Sequence, residues 1–137
     1  MERNVEGASF RISKADGTLL RLTLIGMATD ATVLQKVSQC WDHDLFPSKA
    51  SQVAKWCVSY YKKFADSPKT RLIDRFQRWV DESSPSKNDL AATDKLLQSL
   101  SSQLEAHDYE SAYLLDAAEQ YINKRMTELL TLSLIHI

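Results

Sequence analysis

Cys40, His43 and Asp44 stand within five residues of one another, and thiolate, imidazole and carboxylate are the donor types that hold a zinc ion. A zinc site needs four such donors at recognisable spacing. The other cysteine, Cys57, falls on an apolar helical face, and His107 sits beside a turn, so the set does not close. A buried thiol and solvated imidazoles are the expectation, with no metal ligands. Asp42 and Asp44 flank a break between helices, where short carboxylates accept hydrogen bonds from turn amides. Gly7, Gly17 and Gly26 are isolated, so neither GxxxxGK[ST] nor GxGxxG is present to cradle a phosphate. There is no nucleophile elbow. The sequence therefore offers no catalytic residue and no cofactor-binding residue.

A second group could do chemistry of another kind. Residues 45–80 hold two Trp, two Tyr and three Phe, interleaved with cations. Aromatic rings stack on bases and cations meet phosphates. Placed on a helix, Val53, Trp56, Tyr60 and Phe64 form one stripe, and Ala54, Cys57, Tyr61 and Phe64 the next, while Lys55, Lys62 and Lys63 take the opposite side. That arrangement predicts aromatics in the core rather than on a stacking surface. The outward cations Lys55, Lys62, Lys63, Arg71, Arg75 and Arg78 remain as candidate contacts to DNA or to a protein partner.

Charge is divided along the chain although its net value is −1. Residues 48–79 carry eight Lys/Arg against Asp66 and Asp74, and residues 81–120 carry nine acids against Lys87 and Lys95. Blocks of opposite sign attract each other within one subunit or between subunits. The length of 137 residues suits one core, and 44% hydrophobic residues with 26% charged describe a globular chain. Three Gly and three Pro are too few for the turns of a sheet protein, so the fold class expected is all-α. Two Cys, no apolar leader in MERNVEGASF and no apolar run of membrane-spanning length point to a cytoplasmic protein with reduced thiols and no membrane.

The elements that must position these residues follow from spacing. Residues 1–17 read as a flexible arm with an Asp16-Gly17 turn signal, and a short helix runs from Thr18 to Met27. Asp30 caps a helix over 31–41 with Val33, Leu34, Val37 and Trp41 on one face. WDHDLFP breaks it, because Pro47 excludes the α conformation at Phe46. The aromatic helix spans 48–65 and is expected to be central. Ser67 and Pro68 read as N-cap and first residue of a helix that turns Leu72, Ile73, Phe76, Trp79 and Val80 inward. Ser86 and Asp89 resemble a capping box, and Leu90, Thr93, Leu97, Leu100 and Leu104 form a seam. A last helix over 110–130 carries Leu114, Leu115, Ala118, Tyr121, Ile122, Met126 and Leu129. The layout expected is a helical head of four to five helices (18–82), a linker (83–87) and an antiparallel helical hairpin (88–130). The tail LTLSLIHI resembles a translated sequencing-adapter remnant. On that reading 131–137 is non-native and the reading frame is a fragment.

The succession LIGMATD, WDHDLFP and AKWCVSYYKKFADSP resembles the N-terminal region of phage-encoded DnaB-like replicative DNA helicases. Leu45, Phe46, Ala54, Trp56, Cys57, Tyr60, Tyr61, Phe64 and Pro68 stand at the matching places. The segment 113–130 resembles the helix that ends this region, and the likeness covers 20–130. A Gly that often precedes the Pro is missing, as is the ATPase domain. The resemblance implies a non-catalytic domain that forms a collar by self-association, as a ring or dimer, and engages primase or a helicase loader. DNA contact would be indirect or weak. ATP and Mg²⁺ would belong to the missing ATPase domain. The rival readings are a stand-alone loader-like or regulatory interaction protein, and a small DNA-binding module using the basic face of 49–78.

Overall fold

In the computed structural model residues 8–136 are described, with side chains described over 17–131. They form six helices: α1 (Ala8–Thr29), α2 (Ala31–Gln39), α3 (Ser48–Phe64), α4 (Arg71–Ser83), α5 (Lys87–Ala106) and α6 (Ser111–His136). Among the described residues there is no strand, and the all-α expectation holds. Among these residues no single helix is long and apolar enough to cross a membrane.

α1 begins at Ala8, so the part of the expected arm from residue 8 onward is helix, and the remainder lies outside the described residues. Asp16-Gly17 makes no turn. A Cβ at Gly17 would meet nothing, so its cost to the helix is only the weak propensity penalty, about 1 kcal/mol. Packing further along the helix outweighs it. Leu22, Thr23, Leu24, Ile25 and Met27 are all buried, which means that α1 is covered on every side at its C-terminal end. The centre of the fold is therefore α1 rather than α3: α6, α2, α3 and α5 all pack on it.

One residue, Asp30, separates α1 from α2, and the axes turn by 115° there. Asp30 Oδ1 accepts from the Thr32 amide at 2.8 Å, which is the predicted N-cap. The tight corner brings Val33 onto Gly26. A Cβ at Gly26 would lie 2.9 Å from Val33 Cγ1, so the close approach requires glycine.

The break after α2 is held from a distance. Tyr121 of α6 donates its hydroxyl to the Leu45 carbonyl at 2.6 Å, and Arg125 Nη2 donates to the Asp44 carbonyl at 2.9 Å. The Phe46 ring stacks on Tyr121 with centroids 5.2 Å apart. α3 then buries Val53, Ala54, Trp56, Cys57 and Val58 and ends at Ala65 in the left-handed conformation (φ 57°).

α4 starts three residues later than Ser67-Pro68 predicts. Ser67 and Pro68 are buried, and the Lys69 amide donates to the Ala28 carbonyl at the end of α1, at 2.8 Å. That bond anchors the turn to α1, Lys69 has φ 52°, and the helix begins only beyond it. Only Leu72 of α4 is buried, so α4 is a peripheral helix packed chiefly on α3.

Ser86 Oγ caps α5 by accepting from the Asp89 amide at 3.1 Å. The Asp89 carboxylate pairs with Lys49 Nζ of α3 at 2.8 Å, which joins the basic and acidic blocks within one subunit. α5 and α6 do not pack mainly on each other as the expected hairpin. α5 lies on α3 and α1, and α6 on α1 and α2. The reason is α1: an apolar helix needs cover on both flanks, and the two long amphipathic helices supply it. A single buried cluster joins Leu22, Val33, Val53, Leu72, Leu100 and Leu114, and so runs through all six helices. α6 continues as helix through 131–136.

Candidate functional site

The peripheral placement of α4 leaves a groove on each side of it. The first lies between α3 and α4 and has a volume of about 380 Å³. Trp56 and Leu72 form its floor, Tyr60, Lys63 and Phe64 line it from α3, and Arg71, Arg75 and Arg78 from α4. Arg71, Arg75 and Arg78 recur at the i, i+4, i+7 spacing that puts them on one helix face. Four of the six predicted cations thus meet in one groove. Lys55 and Lys62 are exposed on α3 outside its lining.

The groove walls are partly pre-ordered. Arg71 Nη1 donates to the Tyr60 hydroxyl at 3.2 Å. The Arg75 guanidinium lies over the Trp56 ring at 5.2 Å, and Lys63 Nζ over the Phe64 ring at 5.6 Å. Arg75 Nη1 is buried without a hydrogen-bond partner among the described residues. Asp74 is the one acid among the described lining residues. The expectation that aromatics and cations occupy opposite faces fails here. Phe64 is 54% exposed and Tyr60 half-buried, with centroids 4.6 Å apart. Helical periodicity placed both rings inward, but α3 outruns its cover. Phe64 sits one residue before the left-handed cap, where the chain turns away.

The second groove, between α1, α4 and α5, has a volume of about 480 Å³ and is lined mainly by apolar groups. Phe76 and Leu97 lie along it, half-buried, and its rim carries Ile73, 56% exposed, and Leu104, 39% exposed. Ile73 was expected to face inward and Leu104 to lie on the seam of the helical hairpin. α4 presents Leu72, Ile73, Phe76, Trp79 and Val80, a stripe wider than its one main neighbour covers.

The turn after α2 gathers Asp42, His43 and Asp44, with His43 Nδ1 3.8 Å from the Asp42 carboxylate and Nε2 3.5 Å from that of Asp44. Asp42 Oδ1 also accepts from the Asp44 amide at 2.8 Å, the turn bond expected of it. His43 and Asp44 are exposed. Cys57 is fully buried, and burial pushes its thiol up to about 12, so it stays protonated and unreactive at neutral pH.

Comparison of the chain with family models, with curated proteins and with solved structures finds no match.

Proposed function

We propose that this chain is a non-catalytic assembly and partner-binding domain, of the kind that precedes the ATPase domain in phage-type DnaB-like replicative helicases. The family part of this reading rests on the resemblance of LFPSKASQVAKWCVSYYKKFADSP. Its Leu45, Phe46, Ala54, Trp56 and Cys57 are buried residues that hold α3 against the break. In this reading the chain acts in the host cytoplasm, and ATP and Mg²⁺ are bound by the following domain.

The observation that carries the assembly part is the apolar groove with Ile73 and Leu104 exposed at its rim. Exposed apolar surface is unfavourable in water by roughly 25 cal/mol per Å², so covering it favours association. The occupant we assign is a second copy of the chain. The basic block of residues 48–79 and the acidic block of residues 81–120 give each copy segments of opposite sign that can attract the next copy in a head-to-tail contact. Such contacts close into rings when the rotation permits. Primase or a helicase loader is the second class of partner in this reading.

Sedimentation velocity across a concentration series tests it. The wild-type chain is expected to associate, and Ile73→Ser with Leu104→Ser to be monomeric with an unchanged melting temperature. A wild-type chain that stays monomeric throughout removes the self-assembly reading. A GxxxxGK[ST] motif encoded downstream in the same reading frame is the outcome expected for the helicase part.

A further inference from the structure

We infer that the groove between α3 and α4 is a binding site for single-stranded nucleic acid, with Phe64 and Tyr60 stacking on bases and Arg71, Arg75, Arg78 and Lys63 meeting phosphates. This goes beyond the assembly reading, whose carrying observation is the apolar groove on the other side of α4, and it is tested by a separate measurement.

Three observations carry it. The first is composition at one place: four cations against Asp74 in a groove of about 380 Å³ make a local positive site in a chain of net charge −1. The three arginines run along one face of α4 over about 10 Å of helix axis, at 1.5 Å per residue. The charge is therefore a row, which suits a strand of phosphates better than a single anion.

The second is exposure of ring surface beside that charge. Phe64 is 54% exposed, an aromatic left in solvent at the mouth of a cationic groove. Tyr60 stands next to it with its hydroxyl fixed by Arg71. A base presents an apolar π face to such rings and carries its own phosphate to the adjacent cations. An acidic peptide would use the cations but leave the rings uncovered. A duplex keeps its bases stacked inside and out of reach of rings within a groove.

The third is Arg75. Its guanidinium is anchored over Trp56, which pre-positions it in the groove, and Nη1 is buried with no hydrogen-bond partner among the described residues. Arg75 is only partly buried and lines the groove, and the planar fork of a guanidinium matches phosphate oxygens. Trp56 thus acts as a platform that holds the arginine at the groove floor.

The test is fluorescence anisotropy of the full chain with labelled oligo-dT and oligo-rU of about 12 nucleotides, compared with a duplex of equal length. Binding at low salt is expected, with log affinity falling against log salt by about 0.7 per phosphate neutralised. Phe64→Ala is expected to weaken binding about tenfold, as stacking of order 1–3 kcal/mol implies. Arg78→Gln is expected to lower the salt slope by about 0.7, one phosphate contact. Lys55→Gln, outside the groove, leaves affinity unchanged. Phe64, Arg78 and Lys55 are exposed, so melting curves of the three variants should overlay the wild type. Tighter binding of dT than rU assigns the site to DNA, and the reverse to RNA. No binding at low salt, equal binding of the duplex, or full affinity in Phe64→Ala overturns the inference.

Discussion

Asp30 closes one helix, opens the next and ties down a third. Its amide donates to the Gly26 carbonyl at 2.7 Å, its Oδ1 caps α2, and its Oδ2 accepts from the Ser111 hydroxyl at the start of α6. Partial burial alone would raise its carboxyl pKa. The hydrogen bonds from Ser111, from the amides of Thr32 and Val33 and from the Thr32 hydroxyl outweigh that and hold it below the ordinary carboxylate value. Its folded-state pKa being depressed, the carboxylate contributes its full stabilisation above the ordinary pKa near 3.9 and loses it as pH falls through the lowered value. Asp30→Ala is expected to cost about 0.5–2 kcal/mol at neutral pH, as lost caps do. Asp30→Asn should keep most of the cap and flatten the acid limb of the stability–pH curve. Urea unfolding at pH 7 and near pH 3 measures both, and an unchanged acid limb in Asp30→Asn would refute the assignment. The cap itself was legible, because Asp before an apolar-periodic run satisfies the orphan amides of the first turn. The bond to Ser111 was not, since nothing local links residues 81 positions apart.

At the scale of elements, spacing alone located all six helices and their order. It erred at the ends and at the faces. The start of α4 moved because the Lys69 amide is used by α1, and the start of α1 moved because packing overrode a turn signal. Gly26 shows how one element dictates another. It is the point where α2 meets α1, and a Cβ there would press on Val33, a stiff β-branched side chain that is fully buried. Gly26→Ala gains about 1 kcal/mol of helix propensity but overpacks the corner by about 1–3 kcal/mol. A net loss of stability is the expected outcome, and the loss should shrink in a Val33→Ala background. Thermal melts of the four proteins in this cycle check it, and additive effects would show that the two residues do not meet. The faces of α3 and α4 were read as too inward, since a helical stripe predicts an apolar side but not how far a neighbour extends along it. Phe64 and Ile73 are the residues this left in solvent, and they mark the two grooves.

For the whole molecule the decisive contact is that of α6 with the break before α3. Tyr121 and Arg125 satisfy the Asp44 and Leu45 carbonyls, which no helix serves. Tyr121→Phe removes one buried donor and should lower stability by about 1 kcal/mol, a shift of a few degrees in melting temperature. A melting curve that overlays the wild type would mean that the bond contributes nothing. This clamp, with α1 at the centre, is why the chain has one core where a head and a hairpin were expected. By itself the sequence determined the all-helical class, the caps at Asp30 and Ser86, the break at Pro47 and the exposure of Lys55, Lys62, Lys63, Arg71 and Arg78, though not that of Arg75. Those depend on local sterics, on orphan backbone groups and on the 3.6-residue period. Which helices pair, which apolar side chains stay in water, and which four of six cations share a groove were decided only by tertiary structure. Two long amphipathic helices can bury their stripes against each other or against a third. Only the assembled packing shows that α1, buried on every side at its C-terminal end, takes both.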